Sequence, residues 1–186
     1  MFWPGFDGAN IWVTTAPSSG NGAVNKLRAS DGKIVGTFTV GRNPAAVACD
    51  GANMWVTNGG DNTVTKLRAS DGKVLGTFPV GLAPLGIAFD GANIWVANSN
   101  DNFVTKLRAS DGSFLGNFRV RTAPYGLVFD GANIWATGTP FLVELRASNG
   151  TILGSWNPSN TNITGIAFDG ANIWVAGLNN GTVGKF

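Results

Sequence analysis

At 186 residues, with 44% hydrophobic and 11% aromatic side chains, the chain has enough apolar material for one folded core, and a charged fraction of only 13% excludes disorder driven by charge repulsion. Thirteen basic against eleven acidic side chains leave a formal net charge of +2, too little for the basic footprint of a phosphate-backbone binder, so no nucleic-acid partner is expected. The chain has no histidine and one cysteine, which removes Ser-His-Asp and Cys-His catalysis, His- or Cys-rich metal sites and an internal disulfide.

The segment from Met1 to Phe6 has no basic n-region or long apolar stretch, and no run in the chain approaches the ~20 apolar residues of a membrane span. We therefore expect a soluble chain with no signal peptide, no transmembrane segment and no membrane partner, and with its compartment open. From Phe6 onward one motif returns. Phe-Asp-Gly-Ala-Asn-Ile-Trp begins at Phe6, Phe89, Phe129 and Phe168, with a variant beginning at Cys49, at intervals of 43, 40, 40 and 39 residues. A second signature, Leu-Arg-Ala-Ser-Asp/Asn-Gly, starts at Leu27, Leu67, Leu107 and Leu145. Periods of this length mean solenoids, propellers or arrays.

Within one period, turn signals cut residues 84–120 into four short runs of β-rich composition. Pro84 to Phe89 is the first, and Asp90-Gly91-Ala92-Asn93 turns the chain into Ile94 to Ala97. Asn98 to Asn102 leads into Phe103 to Ala109, and Ser110-Asp111-Gly112 into Ser113 to Val120. Four antiparallel strands per ~40 residues make a propeller blade. The expected fold is all-β: a five-bladed β-propeller in one domain over 1–186, with blades at about 1–40, 41–80, 81–120, 121–156 and 157–186. The first blade takes Met1 to Phe6 as its innermost strand. The fifth copy stops at Phe186 after its third strand, leaving an edge that suggests a homo-oligomer formed through the incomplete fifth blade.

A blade is covered on both faces, so alternate positions are apolar toward different neighbours. Trp12, Trp55, Trp95, Trp135 and Trp174 share one position and are expected in the core, with ligand stacking as the rival role. Cys49 is expected in the core as well. The aspartates Asp7, Asp50, Asp90, Asp130 and Asp169 each precede glycine, a context in which the carboxylate bonds local amides of a tight turn, so neither metal nor cofactor is expected. Lys26, Lys66 and Lys106, with Arg28, Arg68 and Arg108, lie on alternate residues of the third strand and are expected in neutralising surface pairs with nearby aspartates. Glu144, the only glutamate, stands where the other copies have lysine and is expected as a surface substitution.

The shared positions form the scaffold, so individual chemistry belongs to the departures. These gather in the blade-to-blade turns at 41–45, 81–85, 121–125 and 156–162, and in the second-to-third strand turns at 15–22, 58–61, 98–101, 138–140 and 178–180. Both sets meet at the channel mouth, the default concave site. Arg42 and Arg121 are candidate contacts for an anionic group, Tyr125 and Trp156 for a flat face, and Asn98 for a hydroxyl.

The run from Asn62 to Gly81, followed by Pro84, Gly86, Asp90-Gly91 and Ile94-Trp95-Val96, resembles the YVTN and NHL type propeller repeats and is similar to streptogramin B lyase and its relatives. The resemblance implies a propeller. The lyases' catalysis relies on histidines for which this chain offers no matching position, so it implies no catalytic residue here. Three functions stand: a non-catalytic binding scaffold for a glycan or small polar ligand at the channel mouth, a structural self-assembling repeat protein, and a hydrolase or lyase of the resembling families.

Overall fold

The computed structural model describes residues 3–157, 163–177 and 181–186. The first blade holds β1 (Gly5–Phe6), β2 (Asn10–Thr15), β3 (Ala23–Arg28) and β4 (Ile34–Thr39). The second holds β5 (Pro44–Cys49), β6 (Asn53–Asn58), β7 (Thr63–Arg68) and β8 (Val74–Pro79). The third holds β9 (Pro84–Phe89), β10 (Asn93–Asn98), β11 (Phe103–Arg108) and β12 (Phe114–Arg119). The fourth holds β13 (Pro124–Phe129), β14 (Asn133–Gly138), β15 (Leu142–Arg146) and β16 (Ile152–Trp156). The fifth has three strands among the described residues: β17 (Ile163–Phe168), β18 (Ile173–Gly177) and β19 (Val183–Lys185). Each blade is a purely antiparallel meander, so the chain is the expected five-bladed all-β propeller with an incomplete last blade.

The turn from first to second strand shows why the motif reads Asp-Gly-Ala-Asn-Ile-Trp. In blade 3, Asp90 Oδ1 accepts the backbone N–H groups of Ala92 at 2.9 Å and Asn93 at 2.7 Å, while Oδ2 accepts Trp95 Nε1 at 2.7 Å. Gly91 sits at φ 94°, a conformation in which a Cβ is strained. The carboxylate therefore closes the turn and also anchors the indole on the second strand. The same tryptophan contact recurs in all five blades, from Trp12 to Asp7 through Trp174 to Asp169.

Blades stack face to face. Ile94 and Val96 pack toward blade 2 with Ala46, Trp55 and Val64. Trp95 and Ala97 pack toward blade 4 with Leu127, Ile134, Ala136, Val143 and Leu145. On blades 1 to 4 the tryptophan also meets an aromatic of the fourth strand: Phe38, Phe78, Phe118 and, in blade 4, Trp156. Phe38, Phe78 and Phe118 fill the space that a side chain at Gly72, Gly112 and Gly150 of the next blade would need.

Two expectations are corrected here. Trp12, Trp55 and Trp95 are fully buried, but Trp174 is 38% exposed because, among the described residues, no other blade covers its side of blade 5. The N-terminal segment is only partly the inner strand of blade 1. Gly5 and Phe6 pair with β2, whereas Trp3 crosses to blade 2, donating its N–H to Ala45 O at 3.2 Å and accepting from Val47 N at 3.1 Å in a parallel bridge.

Candidate functional site

Lys26, Lys66 and Lys106 of the third strands are not surface charges. Lys66 and Lys106 are each 7% exposed. Their ammonium groups lie over the indoles of Trp55 at 4.9 Å and Trp95 at 4.8 Å, and donate to Ala109 O and Ala147 O of the following blade, both at 2.7 Å. Lys26 does the same with Trp12 and Ala69 O, and its ammonium stands 3.8 Å from Asp7. The expectation of paired surface charge fails because the tryptophan and the next blade's carbonyl give the ammonium a desolvated seat. It holds for the arginines: Arg28, Arg68 and Arg108 pair with Asp31, Asp71 and Asp111 at 3.0, 3.0 and 3.1 Å, exposed on the surface.

Glu144 reverses this seat. Its Oε1 accepts Asn133 Nδ2 at 2.8 Å, it is half-buried, and burial followed by the neighbouring Asp130 carboxylate pushes its carboxyl up, against the Asn133 bond. It is not a plain surface substitution. For Asp90 the balance runs the other way. Burial alone would raise the carboxyl, but the bonds from Trp95, Ala92 and Asn93 outweigh it and hold the group below the usual carboxylate range. Cys49 is a half-buried free thiol, pushed up by burial against a bond from Gly51 N. Among the described residues, no three acidic or thiol side chains converge as a metal site would need.

The five candidate contacts do not form one site. Arg42 is exposed at the mouth end but already engaged, with its guanidinium bonded to Asp61 and Gly60 O. Asn98 is fully buried. Its Nδ2 donates to Thr105 Oγ1 at 2.7 Å and Phe103 O at 3.2 Å, so it braces a turn. Trp156 belongs to the fourth strand, stacked on Trp135 with centroids 5.2 Å apart. Arg121 is exposed and Tyr125 half-buried, both at the mouth end of blade 4. Residues 158–162 and 178–180 lie outside the described residues.

Arg121 is there because of a coupled change that the sequence reading missed. Register aligns Asn58, Asn98 and Gly138 opposite Pro44, Pro84 and Pro124. In blade 2 a Cβ at Gly41 would stand 2.6 Å from Asp61 Oδ2 and 2.7 Å from Asn58 Cγ, and Gly81 is crowded likewise by Asp101 and Asn98. Blade 4 has glycine at 138 and no aspartate in its shortened turn, so a side chain fits at 121. The signal was present, since the Trp-to-Leu interval between the two motifs is two residues shorter in blade 4 than in blades 2 and 3.

Two concavities bear on the channel-mouth expectation. The channel itself is narrow and apolar: Trp3, Pro4, Val47, Ile87, Leu127 and Ile166 bound about 160 Å³. A wider groove of about 420 Å³ lies between blades 1 and 2, reaching the mouth-end turns, and is lined by Asn21, Thr39, Asp61, Thr63, Thr65 and Thr77. None of the five candidate contacts lines it, although Asp61, the partner of Arg42, does. A third concavity, of about 570 Å³ and bounded in part by Asp50, Lys66 and Arg108, is made of scaffold residues at the Asp-Gly turn end.

No protein-family model matches the sequence, and no curated protein is significantly similar to it. Solved structures share its fold. Hydrazine synthase of Kuenenia stuttgartiensis superposes at a TM-score of 0.84 and 20% identity over 96% of this chain and 56% of its own. A streptogramin B lyase structure superposes at 0.79 and 22% identity over 99% of this chain and 63% of its own. A catalytically inactive virginiamycin B lyase from Staphylococcus aureus with quinupristin gives 0.80 and 22%, over 99% and 64%. The chain thus spans less than two thirds of each of these structures, and what it shares with them, including the lyases whose repeats it resembles, is the β-propeller fold.

Proposed function

We propose that the chain is a binding scaffold whose ligand is a small neutral, hydroxyl-rich molecule of carbohydrate type, held in the groove between blades 1 and 2. The observation that carries this is the lining: four threonines, Asn21 and Asp61, with Val40, Gly41 and Val74 among them, around a concavity of about 420 Å³, within the size range of small-molecule sites. Asp61 offers its carboxylate at the groove, and its charge is balanced by Arg42, so a neutral polyol meets acceptors and donors without burying a bare charge.

The test is an array of neutral and acidic glycans, followed by calorimetry on the best binder. Replacing Thr39 and Thr77 by valine keeps their shape and β propensity while removing two exposed hydroxyls. Affinity should fall by about tenfold with an unchanged melting temperature, because each ligand hydrogen bond contributes on the order of 1 kcal/mol. No binding to any glycan, or equal binding by the double variant, would overturn the reading. A preference for acidic glycans that is lost in Arg121→Gly would move the site to blade 4.

A further inference from the structure

One position in the blade-to-blade links carries a side-chain donor on entry to blades 2 and 4 and none on entry to blade 3. Arg42, Leu82 and Thr122 each stand two residues before the proline that opens the next blade. Arg42 donates through Nε to Asp61 Oδ1 and through Nη2 to Gly60 O at 3.0 Å, and its backbone N–H reaches Asp61 Oδ2 at 2.7 Å. Thr122 Oγ1 donates to Thr139 O at 2.6 Å. Each closes the link onto the second-to-third strand turn of the blade it enters. Leu82 keeps the backbone half of this contact, from its N–H to Asp101 Oδ2 at 2.7 Å, but its side chain has nothing to donate.

The acceptors remain where the donor is gone. Among the described residues, Asp101 Oδ1 and Asn98 Oδ1 are the buried side-chain atoms without a hydrogen-bond partner, whereas buried polar groups are as a rule paired. Their blade 2 counterparts are both engaged, Asp61 Oδ1 by Arg42 and Asn58 Oδ1 by the Gly41 N–H at 3.0 Å. The two residues come together at Gly81, where an added Cβ would meet Asp101 Oδ2 and stand 2.7 Å from Asn98 Cγ. No lysine or arginine pairs with Asp101 among the described residues. A buried carboxylate oxygen that faces neither a cation nor a donor is costly, and blade 2 shows which group satisfies it.

We propose that the mouth end of blade 3, at Asp101 and Leu82, binds an alkylguanidinium group, of a free guanidino compound or of an arginine side chain in a peptide. The guanidinium donates to Asp101 Oδ1 and Asn100 O, the counterparts of Asp61 Oδ1 and Gly60 O in blade 2. Its planar fork of donors suits two adjacent acceptors, where a lysine ammonium is a single point charge. Leu82 is 51% exposed, so its side chain turns aside without disturbing the core and lies along the methylenes of the ligand. Asp101, Asn98 and Leu82 do not line the groove between blades 1 and 2, so this site is independent of the carbohydrate reading.

The experiment titrates N-acetyl-arginine amide, its neutral citrulline analogue, N-acetyl-lysine amide and calcium chloride into the 186-residue chain and follows the backbone amides of Leu82 and Asp101 by NMR. The expected result is saturable shifts of both amides by the arginine amide, with a Kd on the order of millimolar, binding about tenfold weaker for the lysine amide, and no response to the citrulline analogue. Two further probes separate the sources: methylguanidinium binding as tightly as the arginine amide supports a free guanidino compound, and tighter binding of an Ala-Arg-Ala peptide supports a peptide. Leu82→Arg should abolish binding and raise the melting temperature by about 2–4 °C, since the chain then supplies its own guanidinium. Asp101→Asn should weaken binding by about tenfold or more. No shift at about 50 mM arginine amide, an equal response to the citrulline analogue, or unchanged binding in Leu82→Arg overturns the proposal. Calcium producing the same shifts at lower concentration also overturns it, because the occupant is then a metal ion.

Discussion

The aspartate that opens each Asp-Gly turn is a structural hub, and its charge is part of its function. Asp90 is held below the usual carboxylate range, so it contributes stability that is present above the unfolded value near 3.9 and is lost as pH falls through the lower folded value. The other turn aspartates, Asp7, Asp50, Asp130 and Asp169, shift in the same direction. Acid titration of the unfolding free energy should therefore show a decline beginning near pH 4, shallower in Asp90→Asn. At neutral pH that variant should lose about 1.5–3 kcal/mol, the scale of a charged hydrogen bond. Trp95→Ala, which empties the space between blades 3 and 4, should cost about 3–5 kcal/mol in denaturant unfolding. Glu144 has the opposite sign. Its raised carboxyl makes the ionised form unfavourable in the folded state, so stability is lost as pH rises from the unfolded value through the folded one. Glu144→Gln should stabilise the protein at pH 7 and leave it unchanged at pH 3, a difference that paired thermal melts would resolve.

At the level of strands and turns, the mouth end is governed by what can stand beside the second residue after each of the first three fourth strands. Gly41 and Gly81 are required by the neighbouring asparagine and aspartate, and Arg121 is allowed by Gly138. In blade 4 the link between the two turns is remade by Thr122 Oγ1, which donates to Thr139 O at 2.6 Å in place of the paired backbone bonds of blades 2 and 3. Gly81→Arg should therefore destabilise the protein by about 1–3 kcal/mol through overpacking. Arg121→Gly should change stability by no more than about 0.5 kcal/mol. Equal effects of the two substitutions in chemical denaturation would contradict the coupling.

For the whole molecule, each blade contacts chiefly its neighbours along the chain, so stability is close to a sum of blade and interface contributions. Blade 5 has one covered face and three strands among the described residues. Its amides at 173–177 should exchange at a lower opening free energy than those of β6 and β10, and uniform protection across the blades would show a single cooperative unit instead. The division into blades was legible in the sequence because Asp-Gly turns and alternating apolar positions recur with little change, and strands β9 to β12 fall within a residue or two of the runs read from the spacing. The lysine clamp was not legible, since alternation places Lys66 and Arg68 on one face without saying that the next blade covers only the first. Nor was the burial of Asn98, because a turn composition of Asn, Ser and Asp reads as solvated until the register shows its side chain folded back onto Thr105. The candidate contacts were read from individual departures, and none of them lines the groove between blades 1 and 2. Its four threonines look like ordinary strand residues.

The lysine clamp also gives the stack a direction. The seated ammonium groups of Lys26, Lys66 and Lys106 all reach forward to the next blade and none reaches back, so these blades present one kind of surface ahead and its complement behind. A gene segment encoding one such period, duplicated in frame anywhere between blades, inserts a unit that already fits both of its new neighbours. Blade number in this architecture can grow by copying alone, with no interface to be invented, and near-identity among the central blades is the trace such copying leaves. Blade 4 departs from blades 2 and 3 in its glutamate, its shortened turn and its arginine.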